Sequence, residues 1–459
     1  MYYAKARPPT AQSTPATARC IAADGERVVR EIVAASHTER TDPAIFALAL
    51  AAASPDETTR RAALGVLPIV CQTGAQLFRF ASFVGQKRGW GRGLRAAVAH
   101  WYNEKPVKTL AYQVVRYPHG DGFKHRDLLR LCHPDADTYG RQTLYHWITN
   151  GWERIGDAPH DQPDLQIIWA AEKARLPGTT AKTVAELIRT YDLPREAVPS
   201  GLLHEKAVWE ALLERMPLAD ILHHLPTLTR VGVTDTRTGQ ARIIERITDT
   251  DALRVAQLHP VAVFTAQERY ALGRDERGKH RWIPSRQISD ALQVAYHETL
   301  TLIAPTGVRI VVAASVSRAS SGKPTAGMPD MTPRDVSQVA VAVAVATGSL
   351  LFDATSGEGA DTTTDCAASI LWATQNAVLA DVFVVYTNAE PPSHTVIAAV
   401  KALHAYRERT GIPARLVIAS ATATDSDTSN EINDNGVLRV IGFDTNAPQV
   451  IADFVRGSD

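Results

Sequence analysis

The sequence predicts a multidomain α + α/β protein, in which an α-helical solenoid is followed by an α/β domain. Three observations support this prediction: the chain length, a long stretch of helical periodicity, and an alternation of strand-like and helix-like segments after Pro305. At 459 residues the chain is too long to fold around one hydrophobic core. We expect the solenoid in residues 1–304 and the α/β domain in residues 305–459.

Helical periodicity extends over residues 20–300. Apolar residues recur at roughly i, i+3, i+4 and i+7 in segments such as PAIFALALAAA, QLFRFASFVGQ and AVWEALLERMPLADILHHL. Short polar links, among them SPDE and HTERTDP, separate these segments, and strand-like alternation is nearly absent. Successive short amphipathic helices without a strict sequence repeat predict an irregular solenoid of stacked antiparallel helix pairs.

Strand-like runs dominate the rest of the chain. They are VRIVVAAS, AVAVAVATGSLLF, ADVFVVYTN, ARLVIASAT and LRVIGFD, and they alternate with the helix-like CAASILWATQNA and HTVIAAVKALHAYRERTG. This alternation is typical of βαβ units and predicts a doubly wound, mostly parallel sheet. Ligands of such sheets bind at the carboxyl ends of the strands, where we expect Ser315, Ser317 and Asn388.

The composition, with 45% hydrophobic and 21% charged residues, is that of an ordinary globular protein. We find no apolar window long enough for a membrane span, and the Pro/Thr-rich start MYYAKARPPTAQSTPATAR lacks the apolar core of a secretory signal. The four cysteines are scattered and form no CxxC pair, so we expect a cytoplasmic protein with reduced thiols and no structural zinc. They are Cys20, Cys71, Cys132 and Cys366.

The formal net charge of zero hides an uneven distribution. Residues 301–459 hold 10 Lys and Arg against 16 Asp and Glu, whereas residues 81–130 hold 10 against 3. In that basic stretch the cations alternate with aromatic side chains such as Trp90 and Phe123. Cations neutralise phosphates and flat rings stack on unpaired bases, so the pattern favours contact with nucleic acid. A second basic cluster lies in GRDERGKHRW, at residues 273–282.

Other interpretations stay open at this point. A charge run on a solenoid is usually a solvated helix face, and large rings at helical spacing are usually core residues, as we expect for Trp101 and Tyr102. His125 and His133, taken singly, are more typical of packing or solvated residues than of ligands. An alternative function is a protein–protein interaction scaffold that uses the solenoid and the α/β domain, and a remote third is a nucleotide-handling enzyme.

Several distinctive motifs are spread along nearly the whole chain, and their order in the chain is itself informative. They are WGRGLRAAVAHWYNEK, HRDLLRLCHPD, KAVWEALLERMPL, LHPVAVFTA and RGKHRWIP, followed by DCAASILWA, ADVFVVYTN and GFDTNAPQVIADF. With these motifs the chain resembles the Ro autoantigen family of TROVE-domain RNA-binding proteins. It looks like a bacterial member, and we expect it to lack the N-terminal extension of animal members.

The resemblance implies a ring of HEAT-like helical repeats closed by a von Willebrand factor A domain, which is a Rossmann-like α/β fold. It implies binding of small noncoding RNAs, with Y RNA on a basic outer surface and single-stranded 3′ ends of misfolded RNAs in a central hole. In bacteria the family is associated with tethering an exoribonuclease through Y-like RNA. We therefore expect a monomeric, non-catalytic protein that acts in RNA quality control or as an RNA-tethered adaptor.

By position, the resemblance links Arg116 and His133 to Y RNA binding, whereas a further basic residue of that set falls at Gly120 in this chain. Charge pattern and resemblance together predict one set of RNA-binding residues. This set is Lys87, Arg88, Trp90, Arg92, Arg95, Arg116, His125, Arg126, Arg130, His133, Arg277, Lys279 and Arg281.

The Ser-x-Ser after the first strand raises the question of a metal. By the resemblance, von Willebrand A domains often hold Mg²⁺ at an Asp-x-Ser-x-Ser strand end, together with a threonine and a second aspartate. The two acid positions are Ala313 and Asn388 here, while Ser315, Ser317 and Thr364 keep the hydroxyl positions. Mg²⁺ sheds water reluctantly and binds through carboxylates, so we predict a degenerate site without metal and no cofactor.

Catalytic motifs are missing from the sequence. SSGK at residues 320–323 lacks the upstream glycine of a phosphate-binding loop and is followed by Pro324. Neither HExxH nor GxSxG occurs. We therefore predict no catalytic residues.

Overall fold

The computed structural model describes residues 2–3, 15–36, 41–151, 162–275, 277–314, 324–353, 365–422, 434, 436–445 and 447–456. Packing divides the chain into two compact units, a first unit of Arg7–Arg215 and a second unit of Met1–Ala6 with Met216–Asp459. The predicted domains follow the change of secondary structure, whereas these units follow packing. None of the described helices is long and apolar enough to cross a lipid bilayer.

The first unit is built from helices joined by short links, together with one small hairpin. Its helices are α1 (Pro15–Ala23), α2 (Gly25–Ala35), α3 (Asp42–Ala52), α4 (Glu57–Gly65), α5 (Leu67–Val70), α6 (Gly74–Gly85), α7 (Arg92–Glu104), α8 (Val107–Arg116), α9 (His125–Cys132), α10 (Tyr139–Asn150), α11 (Gln166–Arg175), α12 (Ala181–Tyr191) and α13 (Lys206–Leu213). The antiparallel hairpin lies between α8 and α9 and consists of β2 (His119–Gly120) and β3 (Phe123–Lys124).

Helices close in sequence pack on one another, as the predicted solenoid requires. α3 packs against α2, α4 and α6, and α12 packs against α11 and α13. Polar side chains cap the N-termini of several helices. At α6 the Thr73 hydroxyl accepts from the backbone N–H of Gln76, whose side-chain oxygen accepts from the N–H of Thr73 in return.

The second unit contains five helices, a parallel sheet and the helices that cover it. These elements are α14 (Leu218–Arg230), α15 (Arg237–Thr248), α16 (Thr250–Val255), α17 (Pro260–Ala271), α18 (Arg286–Thr301), β4 (Ile310–Ala314), α19 (Pro333–Ala346), β5 (Leu350–Asp353), α20 (Ala368–Gln375), β6 (Val382–Ala389), α21 (Ser393–Thr410), β7 (Arg415–Thr422), β8 (Val437–Ile441) and α22 (Ala447–Arg456). The strands pair in parallel in the order β1–β8–β7–β6–β4–β5, where β1 is Tyr2–Tyr3.

The sheet is buried on both faces, which explains its continuous apolar strands. Along β4, Ile310 and Val312 join the hydrophobic cluster that includes residues of α19 and α22. The alternate residues Val311 and Ala313 join the cluster that includes residues of α20 and α21. Because successive strand side chains point to opposite faces, helices on both sides demand apolar residues at every position. The predicted doubly wound sheet is confirmed.

Two details differ from the sequence-based expectation. AVAVAVATGSLLF was interpreted as a strand-like run, but its first half belongs to α19 and only Leu350–Asp353 forms β5. The segment forms a helix because Thr332 and Asp335 form a capping box at its start and Pro333 occupies the first turn. The second detail is β1, which pairs with β8 through Tyr2 and Tyr3 and is too short to be recognised from sequence.

A buried ion pair crosses the sheet. Nη2 of Arg439 in β8 donates to Oε1 of Glu390, just after β6, at 2.6 Å, and both residues are 7% exposed. Removal of one partner of a buried ion pair is strongly destabilising, because the remaining buried charge loses a compensating interaction.

Replacing Arg439 by Met should lower the free energy of unfolding by about 3–5 kcal/mol, because the Glu390 carboxylate loses this buried partner. The measurement is urea unfolding followed by circular dichroism. The matched control is Arg456→Met, whose pair with Asp453 is exposed and should contribute less than about 1 kcal/mol. Equal losses in the two variants would show that the Arg439 pair is not the stabilising contact.

Candidate nucleic-acid interface

Helix α7 has an apolar face and a cationic face. Leu94, Val98 and Trp101 are fully buried on the apolar face, whereas Arg92 and Arg95 are exposed. Buried positions at i, i+4 and i+7 turn one side of a helix to the core, so the two arginines face the solvent. The amphipathic pattern of WGRGLRAAVAHWYNEK thus determines which residues of α7 are free to bind a ligand.

Helix α9 repeats this arrangement over a shorter length. His125, Leu128 and Leu129 are buried, while Arg126 and Arg130 are exposed at i, i+4 spacing. The first turn is held by the Asp127 carboxylate, which accepts from the backbone N–H of Lys124 at 2.9 Å. α9 packs against α7, so their two arginine pairs belong to neighbouring helices.

A buried aromatic cluster joins α6, α7 and α9. The hydroxyl of Tyr102 and Nδ1 of His125 share a hydrogen bond of 2.7 Å. The imidazole also lies against the rings of Phe78, at 4.7 Å between centroids, and Trp101, at 6.5 Å and nearly parallel. The indole N–H of Trp101 donates to the carbonyl of Cys71. This cluster orients the helices that carry the arginines.

The cluster keeps His125 neutral. Burial lowers the pKa of His125 to about 3, because a charged imidazolium would lose its hydration. Burial also raises the pKa of the neighbouring Tyr102 hydroxyl well above its ordinary value.

The structure therefore corrects one predicted RNA-binding residue. His125 is only 2% exposed and its ring is enclosed by aromatic side chains, so it cannot contact RNA from this position. It was included in the predicted set because it begins the family motif HRDLLRLCHPD, although taken singly it is more typical of a packing or solvated residue. Its contribution is to position Arg126 and Arg130. His133, at the other end of α9, is exposed and adopts a left-handed backbone conformation with φ 46°.

The remaining predicted RNA-binding cations of the first unit differ in their exposure and in their hydrogen bonds to the protein. Lys87 is exposed, whereas the half-buried Arg88 donates from Nη1 to the carbonyl of Ala52 at 2.7 Å. Arg116, at the end of α8, donates to the hydroxyls of Tyr117 and Tyr112 at 3.1 and 3.2 Å. These contacts hold the guanidinium groups of Arg88 and Arg116 in defined positions.

Trp90 supplies the aromatic part of the predicted surface. The ring is half-buried just before α7, and its centroid lies 6.2 Å from that of Phe123 in β3. A partly exposed ring that packs against a second ring is a suitable stacking surface for a base.

The second basic cluster lies in the second unit. Arg277, Lys279 and Arg281 are exposed in the loop between α17 and α18. Trp282 of the same segment is buried, and its indole N–H donates to the carbonyl of Tyr270 at 2.9 Å.

Gly120, where the family pattern places a basic residue, lies in β2 against α6. A Cβ built at this position would meet Cδ2 of Phe78 at 3.3 Å, which is closer than usual for such a contact. The departure from the family pattern thus coincides with a close approach of β2 to the aromatic cluster.

The predicted degenerate metal site is only partly described. Ser315, Ser317 and Thr364 lie outside the described residues. Ala313 is buried in β4, and the carbonyl of Asn388 in β6 accepts from the hydroxyl of Thr422 at 3.0 Å. The absence of a metal from this rim stays a prediction.

Sequence reasoning missed two residues that support the interface. The buried Arg141 donates to the carbonyls of Tyr102 and Lys105, which end α7, at 2.6 and 3.0 Å. Nζ of Lys105 lies 4.0 Å from the centroid of the Trp101 ring. Neither position has a local signal, since both contacts depend on how distant segments pack.

Comparison with known proteins places the chain in a family. The TROVE domain model matches residues 12–162 and 173–269, and the Ro60 vWA domain model matches residues 353–455. A Deinococcus radiodurans protein named RNA-binding protein RO60 is 32% identical, over 99% of this chain and 90% of that protein. The chain belongs to the Ro family.

Further Ro relatives agree with this assignment. A Caenorhabditis elegans protein, also named RNA-binding protein RO60, is 28% identical over 95% of this chain and 82% of its own length. The crystal structure of the Deinococcus radiodurans Ro (Rsr) protein matches with a TM-score of 0.88 and 31% identity. This match covers 100% of this chain and 96% of the other, which confirms the predicted fold class of a helical TROVE part with a von Willebrand factor A domain.

The buried His125 predicts a pH dependence of stability. Its pKa in the folded state, about 3, lies below the ordinary value of 6.5, so the unfolded chain binds a proton that the folded chain does not. This contribution is complete above pH 6.5 and is lost as pH falls toward 3, at up to about 1.4 kcal/mol per pH unit. Urea unfolding of His125→Asn between pH 7.5 and 5 should therefore show a shallower loss than the natural protein.

The control for this experiment is His100→Asn, since His100 is exposed on α7. That variant should follow the natural protein across the same pH range. An unchanged slope in His125→Asn would mean that another group causes the acid sensitivity.

Proposed function

We propose that this protein binds RNA through the basic surface of its first unit. That surface consists of Arg92 and Arg95 on α7, Arg126 and Arg130 on α9, and the ring of Trp90. Support comes from the geometry of this surface and from Ro relatives that are named RNA-binding proteins.

One observation carries the proposal. All four arginines are exposed, and none of them forms an ion pair with another residue in the described part of the chain. Arg61 and Arg189, which are also exposed in the first unit, pair with glutamates. Arg27 and Arg30 form no ion pair with other described residues but lie on a single helix, α2, whereas the four arginines lie on two neighbouring helices. Cations on two neighbouring helices that lack acidic partners leave their positive charge available to phosphate oxygens.

The chemistry favours recognition of backbone over sequence. Guanidinium groups bind phosphate oxygens of any nucleotide, and a ring such as Trp90 stacks on any unpaired base. Such a surface accepts many RNA sequences, as single-stranded segments and structured small RNAs require.

The finer function is part of the same proposal. We expect the ligands to be small noncoding RNAs, including a Y-like RNA and the single-stranded 3′ ends of misfolded RNAs. The protein would act without catalysis, as a monomer, in RNA quality control or as an adaptor that holds an exoribonuclease through RNA. Its four free cysteines fit a reducing compartment such as the cytoplasm.

Replacing Arg92, Arg95, Arg126 and Arg130 together by Gln should weaken binding of a structured RNA with a single-stranded 3′ overhang roughly 100-fold. This loss corresponds to about 0.7 kcal/mol for each lost contact, within the usual range for one hydrogen bond. Filter binding over a series of salt concentrations measures it. The slope of log affinity against log salt should become shallower by about 3, since roughly 0.7 counterions per single-strand contact are no longer released.

The matched control removes the same charge from other exposed positions of the first unit. It combines Arg27→Gln, Arg30→Gln, Arg61→Gln and Arg175→Gln, and it should bind RNA nearly as tightly as the natural protein. Equal weakening of both variants would mean that net charge alone attracts RNA. No affinity of the natural protein at low salt would reject the RNA proposal and favour a protein-interaction scaffold.

A further inference from the structure

A cleft of about 370 Å³ lies within the second unit, whereas the proposed RNA interface consists of residues of the first unit. It is formed by α14, α17, the loop between α17 and α18, and the segment before α19. Its volume falls in the range of about 300–1,000 Å³ that is usual for small-molecule sites. Its lining includes Thr227, Arg230, Arg269, Arg277, Trp282 and Asp330.

Cations predominate in this cleft. Three arginines face two carboxylates, those of Asp275 and Asp330. Arg269 is already engaged, because its Nε donates to Oδ2 of the buried Asp330 at 2.6 Å. Arg230 and Arg277 are exposed and form no ion pair with other described residues. Two guanidinium groups are therefore available for an anion.

The Asp275 carboxylate stays ionised beside these cations. Burial raises its pKa, but backbone N–H groups of His280 and Lys279 and the charge of Arg230 outweigh burial and hold the pKa below its ordinary value. Arg230 is thus near Asp275 without being tied to it in an ion pair.

The loop that carries Arg277 is closed by its own hydrogen bonds. The N–H of Asp275 donates to the carbonyl of His280 at 3.0 Å, and the N–H of Gly278 donates to the carbonyl of Asp275 at 2.9 Å. At the base, the N–H of Trp282 donates to the carbonyl of Gly273 at 3.0 Å, where φ is 63°. These backbone hydrogen bonds hold the described residues on both sides of Arg277, which reduces the entropy lost on binding.

Apolar surface lines the same cleft. Trp282 is 8% exposed, and the bond from its indole N–H to Tyr270 keeps its ring in place. Pro226 and Thr227 also line the cleft. A ligand that uses both parts of the cleft carries a phosphate and a flat, partly apolar group.

We propose that this cleft binds the phosphate monoester of a nucleotide. Arg230 and Arg277 would hold the phosphate, since the planar guanidinium matches phosphate oxygens in pairs, and the wall of Trp282 and Pro226 would receive the base. A free nucleoside monophosphate and the phosphorylated end of an RNA strand offer this same chemistry. The inference does not rest on the interface of the first unit, because every residue involved lies within Met216–Asp459.

Isothermal titration of the full chain at low salt tests whether the cleft binds a free nucleoside monophosphate. Adenosine 5′-monophosphate should bind at one saturable site, and adenosine should bind at least about tenfold more weakly, because it lacks the charged contacts. Arg230→Gln with Arg277→Gln should weaken binding of the monophosphate by a similar factor. The control pair Arg286→Gln with Arg334→Gln removes the same charge at exposed positions of the same unit and should have little effect.

Binding of a phosphorylated RNA end is tested with three forms of one short RNA, which carry a 5′-phosphate, a 3′-phosphate or only hydroxyl ends. These titrations use the variant that lacks the four interface arginines, so that failure of the RNA interface cannot mask the cleft. Tighter binding of one phosphorylated end, lost when Arg230 and Arg277 are also replaced, assigns the cleft to a strand end. Thermal unfolding checks each variant, and Arg277→Gln alone, on the exposed loop, replaces the double change if folding fails.

The proposal is overturned if the monophosphate and both phosphorylated ends bind no better than adenosine and the hydroxyl-ended RNA. It is equally overturned if binding occurs but is unchanged by the cleft substitutions.

Discussion

The first unit depends on the buried contact between His125 and the aromatic side chains of α6 and α7. A neutral imidazole that is hydrogen-bonded to Tyr102 and enclosed by Phe78 and Trp101 joins three helices at one point. Rotation of α7 or α9 about its axis would expose these rings and leave the Tyr102 hydroxyl without its partner. The arginines on the opposite faces are therefore held outward by the packing of the core, and the proposed RNA surface needs no dedicated framework of its own.

The second unit has a different constraint, the burial of its sheet on both faces. Helix α17, which precedes β4 in the chain, takes part in this core through Val261. Its Thr265 and Arg269 contact Met331 and Asp330, just before α19. The last helices before the sheet therefore pack together with the sheet, and the cleft with Arg230 and Arg277 lies where α14, α17 and this segment meet. A site of this kind exists only because helices of the TROVE part and the α/β core share one packed unit.

Much of the candidate interface could be predicted from the sequence, because charge excess and helical periodicity are local properties. Arg92, Arg95, Arg126 and Arg130 lie on exposed faces as the periodicity indicates. His125 could not be assigned in the same way, since a histidine at a helix start is equally compatible with solvent and with core. The prediction of a strand for AVAVAVAT was wrong for a related reason. Alternating Val and Ala suit a strand, but the capping residues before them start a helix.

The sequence by itself determined the fold class, the family and the faces of the amphipathic helices, because these depend on spacing along the chain and on motifs that persist in order. Only the tertiary structure decided which cations are free, which ring is buried and where a cleft forms. Arg88 donates to Ala52, Arg269 to Asp330, and Arg141 to the end of α7, each across 36 or more positions of the chain. Contacts between such distant segments follow from how helices and strands pack in three dimensions, which no local pattern records.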